Sequence, residues 1–210
     1  MDRENELGPL RTPSGRLPLW LPVFIAVWLV AAATGLWVVW AYDNTPGADA
    51  VPIGRWPAGS RLERAPDGPT LVLLAHPRCS CTPASIGELA EVMARVRTPP
   101  RAYVVFMKPS EFEAGWERTP LWQAAARIPN VALVRDDDGL EARQFGGATS
   151  GQTYLYDGQG VLQFSGGITS ARGHAGDNPG RAALIALLDR LETGQRRTNV
   201  FGCPLFASTD

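Results

Sequence analysis

Apolar and polar positions follow three different rhythms along this chain, and each rhythm predicts a different kind of element. Leu17 to Tyr42 contains no charged residue, and its 26 positions exceed the about 20 needed to cross a 30 Å hydrocarbon core at 1.5 Å per residue. The run predicts a single transmembrane helix. Trp20 near one end and Trp37, Trp40 and Tyr42 near the other match the aromatic belts of the two membrane interfaces. Pro18 and Pro22 fall at the entrance, where proline is tolerated. Gly47 to Gly68 is rich in Pro, Gly and Ala and has neither period, so it reads as a tether that holds a folded domain off the bilayer.

From Thr70 the rhythm is that of a packed domain. Thr70 to Ala75 is a short, continuous apolar run, as a strand buried on both faces requires. Thr82 is placed to cap a helix with Pro83 at its first position, and Ile86, Leu89, Ala90, Met93 and Val96 follow at spacings of three and four. Ala102 to Met107 predicts a second, parallel strand. Ser110 to Arg127 predicts one broken helix or two short ones, from capping-box spacing at Ser110–Glu113 and the start signal Thr119-Pro120. A third strand is expected over Val131 to Val134 and a short helix over Leu140 to Phe145, stopped by Gly146-Gly147. Thr153 to Tyr156 and Val161 to Phe164 flank a turn and predict a hairpin. Arg181 to Glu192, with Ala183, Leu184, Leu187, Leu188 and Leu191 on one side, predicts a closing amphipathic helix. The expected division is an N-terminal segment 1–16, a span 17–42, a linker 43–69, a β-α-β-α-β-α-β-β-α domain 70–194 and a tail 195–210.

Composition narrows the setting. The chain has 210 residues, 45% of them hydrophobic, and a formal charge of −1, which suits one domain with an appendage and argues against a nucleic-acid partner. The densest charge run, Asp136-Asp137-Asp138 before Gly139, reads as a solvated turn. Arg3, Arg11 and Arg16 precede the apolar run and the next basic residue is Arg55. The positive-inside rule then puts the N-terminus in the cytoplasm and the domain in the periplasm or its extracytoplasmic equivalent, as a single-pass protein of the inner membrane. A cleaved signal peptide is the rival reading, with Ala31-Ala32-Ala33 as its cleavage site.

The chemistry concentrates in His76-Pro77-Arg78-Cys79-Ser80-Cys81-Thr82-Pro83, which joins the first domain strand to its helix and carries two of the three cysteines. Unpaired N–H groups and the positive end of the helix dipole favour a thiolate there, so the thiol pKa falls. Cys79 is expected to be the more exposed of the pair and the nucleophile. A bond across one intervening residue would be tight and readily exchanged. Cys203 lies in the apolar tail; the closing helix runs back over about 18 Å while the tail can extend about 30 Å. It can therefore return to resolve a disulfide or complete a three-thiolate site. The loop Gly166 to Gly180 is expected at the same pole, which makes Arg172 and His174 candidates to steady a thiolate or move a proton. The chain's only histidines, His76 and His174, both map there.

The element order, with cysteines between first strand and first helix, resembles the thioredoxin fold: an α/β domain with a central mixed sheet flanked by helices. Asp138-Gly139 through Phe145-Gly146, then Thr153-Tyr154-Leu155-Tyr156-Asp157 and Gly160, resembles the second half of membrane-anchored thioredoxins of the TlpA type. His76-Pro-x-Cys79-x-Cys81-Thr82, Gly166-Gly-Ile-Thr-x-x-Arg-Gly-His174 and Phe201-Gly-Cys203-Pro resemble the RedB group. The chain departs from the thioredoxin pattern in two places. Its spacing is Cys-x-Cys, with Thr82 where Cys-x-x-Cys has its second cysteine. Gln152 precedes the fourth strand where the pattern has a cis-proline, so the proline's role in substrate docking does not carry over.

Three functions follow. One is a membrane-tethered thiol:disulfide oxidoreductase acting on a protein thiol or disulfide partner, in which Cys79 attacks, Cys81 releases the partner and Cys203 serves a further transfer; it needs no cofactor. Another is a metal-handling protein binding Cu(I), since soft thiolates select it, through Cys79, Cys81 and either Cys203 or His76; zinc or an iron–sulfur cluster would use the same donors. A third is a catalytically silent thioredoxin-like subunit of a membrane complex.

Overall fold

The computed structural model describes residues 18, 20–48 and 51–206; the segment expected in the cytoplasm, 1–16, lies outside them. Helix α1 spans Trp20–Asp43 and buries none of its residues. Its 24 residues are long and apolar enough to cross a membrane.

The domain is built on a five-stranded mixed sheet. Strands β1 (Thr70–Ala75), β2 (Arg101–Lys108), β3 (Val131–Asp137), β4 (Thr153–Tyr156) and β5 (Leu162–Gly166) lie in the order β3-β2-β1-β4-β5. The first three are mutually parallel, β4 runs antiparallel to β1, and β5 antiparallel to β4. With helices α2 (Thr82–Arg95), α3 (Pro120–Ala126), α4 (Leu140–Gln144) and α5 (Pro179–Leu188) in sequence between and after them, this is a thioredoxin-like fold.

Every residue of β1 is buried because both faces of the sheet are covered. Leu71, Leu73 and Ala75 pack with Ile86 and Leu89 of α2 and Leu184 of α5. Val72 and Leu74 face the other way, into a cluster containing Phe145, Tyr154, Tyr156 and Leu62, with Trp56 packed against it. This second cover corrects the expected tether. Tyr156 donates its hydroxyl to the Ile53 carbonyl at 2.9 Å, the Trp56 N–H reaches Gly160 at 2.8 Å, and the Trp56 ring stands edge-on to Phe145 and Tyr156. A segment without periodicity still contributes single large side chains that an open sheet face needs.

Other differences have local causes. Cys81, not Thr82, takes the cap position of α2, and no side chain bonds the helix start. Between residues 110 and 127 only Pro120–Ala126 is helical, Lys108 Nζ instead holding the preceding turn through the Phe112 carbonyl. Asp136 is buried rather than solvated, because its carboxylate accepts from the N–H groups of Glu141 and Ala142 at 2.8 and 2.9 Å and so caps α4. Asn178 caps α5 by accepting from the Arg181 N–H at 2.8 Å, so that helix starts at Pro179 and leaves Leu191 beyond its end, 55% exposed.

Candidate functional site

The turn from β1 into α2 places the first two thiols. Cys79 N–H donates to the His76 carbonyl and Thr82 N–H to the Cys79 carbonyl, at 3.2 and 3.3 Å. This tight turn carries Cys79 just ahead of the α2 N-terminus and Cys81 onto it. The third thiol arrives from the tail. Residues 196–199 run beside β5, with Arg197 paired to Ser165 and the Thr198 hydroxyl donating to Gly167 at 2.7 Å. The chain then crosses to the segment before β4. There Ser150 N–H donates to the Cys203 carbonyl and Leu205 N–H to the Ala148 carbonyl, both at 2.8 Å, around an antiparallel bridge between Thr149 and Pro204. Gly202 permits the crossing: a Cβ there would stand 1.9 Å from the Ser150 carbonyl oxygen.

The three sulfur atoms lie within 4.8 Å of one another, and Sγ of Cys79 is 2.7 Å from Sγ of Cys203. Cys79 and Cys81 are only 4% and 6% exposed. This overturns the expectation that Cys79 is the more exposed of the pair, since the returning tail sets Cys203 against it.

The local electrostatics separate the thiols. Burial pushes Cys79 up, but hydrogen bonds from the Cys203 thiol, the Thr82 hydroxyl and the N–H groups of Cys203 and Cys81 outweigh it and hold the group below its ordinary range. Burial pushes Cys81 up, and the charge of Cys79 adds to that. Burial also raises Cys203, which donates to Cys79 and is pushed up to about 12. Of the three thiols, Cys79 is the one whose surroundings favour ionisation.

Arg172 and His174 part company. The Arg172 guanidinium donates to the Gly202 carbonyl at 2.5 Å, fixing the residue next to Cys203, and its positive charge draws Cys81 and Cys203 down. His174 is exposed, its Nδ1 2.8 Å from the Arg172 carbonyl, and no contact joins it to a thiol among the described residues. His76 is held by its own turn: its Nδ1 accepts from the Arg78 N–H at 3.2 Å, and its ring stands edge-on to Trp116. Burial, then the Arg78 charge, lowers its pKa. It is outside the three-sulfur cluster.

Ser150 escaped the sequence reading. Buried, it accepts from the His76 N–H at 2.8 Å, shares a 2.7 Å hydroxyl contact with Thr82 and donates its N–H to Cys203. It therefore ties the β1 end, the α2 start and the tail together. Its one sequence signal is position, just ahead of the strand that neighbours β1. Gln152 is likewise inward, its Nε2 3.0 Å from the Ser165 hydroxyl.

No protein-family model matches the chain, and no curated protein matches it. Among solved structures, an uncharacterised conserved protein from Geobacillus kaustophilus is similar with a TM-score of 0.58 at 18% identity, over 80% of this chain and 94% of that one. A hypothetical protein from Sinorhizobium meliloti has a TM-score of 0.50 at 20% identity, over 79% and 96%. The exposed lipoprotein thioredoxin of Streptococcus pneumoniae lies further off, with a TM-score of 0.44 at 16% identity, over 60% and 87%. At these identities the likeness is one of fold alone.

Proposed function

We propose that this chain is a membrane-anchored, extracytoplasmic thiol:disulfide oxidoreductase whose attacking sulfur is Cys79. One observation carries the reading: the sulfurs of Cys79 and Cys203 lie 2.7 Å apart, with that of Cys81 within 4.8 Å of both. The thiolate of Cys79 attacks one sulfur of a partner disulfide, the partner's second sulfur leaves as a thiolate, and a mixed disulfide remains on Cys79. Cys203 then gives up its proton and attacks Cys79 Sγ. The partner's first sulfur leaves and takes the proton Cys203 gave up, its second sulfur takes one from water, and the partner is reduced to two thiols while Cys79 and Cys203 become a disulfide. The same steps reversed oxidise a dithiol. The short separation favours Cys203 as the resolving thiol, with Cys81 of the Cys-x-Cys pair as the second acceptor.

The apolar run and its upstream arginines support anchoring through α1 with the domain outside the cytoplasm. Placement beside the RedB group rests on the His76-to-Thr82, Gly166-to-His174 and Phe201-to-Pro204 motifs.

The test is reduction of a protein disulfide by the full-length protein and its Cys79→Ser, Cys81→Ser and Cys203→Ser variants, with mixed disulfides read by mass spectrometry. Cys79→Ser is expected to lose activity about a hundredfold or more, and Cys203→Ser to accumulate the mixed disulfide on Cys79. Full activity in Cys79→Ser removes Cys79 as the attacking sulfur, and no activity in the unsubstituted protein removes the proposal and favours the silent-subunit reading.

A second reading, a Cu(I) or other soft-metal site, is favoured by the three-thiol donor set itself. Sulfurs 2.7 Å apart subtend about 72° at a metal about 2.3 Å away, against about 109° in a tetrahedral site. The Cys79–Cys203 pair would have to open to bind metal, and Cu(I) protection of the thiols from alkylation is the result that would support it.

A further inference from the structure

The chain leaves its apolar run at Tyr42, which with Trp37 and Trp40 makes up the expected aromatic belt, and from there it is laid along the thiol pole. The Tyr42 ring lies 4.9 Å from the guanidinium carbon of Arg172, whose backbone N–H donates to the Asp43 carbonyl at 2.9 Å. The same guanidinium holds the Gly202 carbonyl, and Cys203 is one Cα step, about 3.8 Å, further on. One arginine thus separates a belt residue from the tail that carries the resolving thiol. Gly47 N–H then donates to the Val200 carbonyl at 2.8 Å, and the Ala48 carbonyl accepts from the Thr149 hydroxyl at 3.1 Å. A free linker over 43–69 would let the thiols range about 30 Å from a bilayer. The bonds at Asp43, Gly47 and Ala48 take up that reach at its start.

What the pole exposes suits the same neighbour. The loops that follow β2 and β3 emerge beside the cysteine turn, because both strands run parallel to β1. They expose Phe112 and Leu140, and Val51 is exposed three residues past Ala48. Arg78, exposed and adjacent to Cys79, holds its guanidinium carbon 4.9 Å from the Trp116 ring, which stacks on Phe112 at 4.6 Å. Aromatic rings and long arginine stems with a charged tip are side chains that settle at headgroup level. Glu111 and Glu113 are exposed in the same loop, so the face suits a zwitterionic surface better than an anionic one. Resting on the oxidoreductase and anchoring readings, we propose that this pole docks on the lipid surface and that its thiols exchange with disulfides held at the membrane interface. The steps at Cys79 and Cys203 are those given above, and depth selects the substrate.

The experiment uses the full-length, reduced protein in phosphatidylcholine nanodiscs and two pyridyl disulfides. One is carried on the headgroup of phosphatidylethanolamine, the other on water-soluble glycerophosphoethanolamine. The Cys79 thiolate attacks the linker sulfur, and the pyridine-2-thiolate leaves and takes a proton from water as the thione. Cys203 then displaces the linker thiol and gives it a proton, so two electrons pass from the protein to each probe. Thione release at matched probe concentrations is compared in the natural sequence, in a variant with a flexible Gly-Ser stretch of about twenty residues between Asn44 and Thr45, and in Phe112→Ser combined with Leu140→Ser. The ratio of lipid-probe rate to soluble-probe rate is expected to fall about tenfold on insertion, as the effective concentration drops, and to fall in the double variant as well. Phe112 and Leu140 are exposed, so the double variant carries the comparison if the insertion disturbs folding. A lipid probe that reacts no faster than the soluble one in the natural sequence, or a ratio that neither variant changes, overturns the membrane-surface face and leaves the oxidoreductase reading standing. Failure of Cys79 to react with either probe overturns both.

Discussion

At Cys79 two forces pull the proton equilibrium in opposite directions. Burial favours the thiol, while donors from Cys203, Thr82 and two backbone N–H groups favour the thiolate and prevail. Removing one donor should tip the balance, so Cys203→Ala is expected to shift the pH midpoint of Cys79 alkylation upward. An unmoved midpoint would show that Cys203 does not hold the thiolate. The signs for stability follow. Cys79 has a lowered native pKa, so its contribution is present above the ordinary thiol value and is lost as pH falls through the native one. Cys203 is raised to about 12, so its contribution is present below the ordinary value and lost as pH rises toward 12. The pairing that creates this contrast joins residues 124 positions apart. Sequence could nominate Cys203 only by asking whether the tail was long enough to return, and nothing in it singled out Ser150 or Gly202.

Among the elements, the strands were the most legible. β1 and β4 occupy the residues their apolar runs predict, Thr70–Ala75 and Thr153–Tyr156, because a strand buried on both faces has no polar position to blur its ends. Helix boundaries were set by partners elsewhere in the chain. Glu88 sits mid-α2 and is buried, accepting from the Gly176 N–H, Asn178 Nδ2 and Arg181 Nη1 at 2.5, 3.2 and 2.6 Å. These bonds fasten the loop that carries Arg172 to the helix that follows the cysteines. Breaking a buried ion pair of this kind costs about 3–5 kcal/mol, so Glu88→Ala should lower the melting temperature by roughly 10 °C. A change within about 2 °C in a thermal melt would mean the network is not what fixes the loop. In sequence Glu88 is one more charge on an amphipathic helix, and only the facing Arg181 makes it a core residue.

Over the whole molecule, the proposed anchoring has a direct consequence. The full chain is expected to remain in the membrane fraction after alkaline carbonate, and alkaline phosphatase fused after Asp210 to be active. Release by carbonate would end the anchoring reading, and an inactive fusion the extracytoplasmic one. What the sequence determined by itself are the features written in local pattern. These are an uncharged apolar run long enough for a bilayer, the strand and helix order of a thioredoxin-like domain, and two cysteines at a strand-to-helix turn, since hydrophobic period and turn chemistry act over a few residues at a time. Tertiary structure alone decided what closes on what. Residues 53–62 of the expected linker lie on the sheet instead of hanging free, because the face holding Tyr154 and Tyr156 needs a cover that Trp56 and Leu62 supply. The tail likewise returns to bury the thiols, because Leu205 finds the same apolar face and Ser150 offers its backbone. Both are pairings between distant segments, fixed by which surfaces remain open once the sheet has formed, and aperiodic stretches of sequence carry no mark of them.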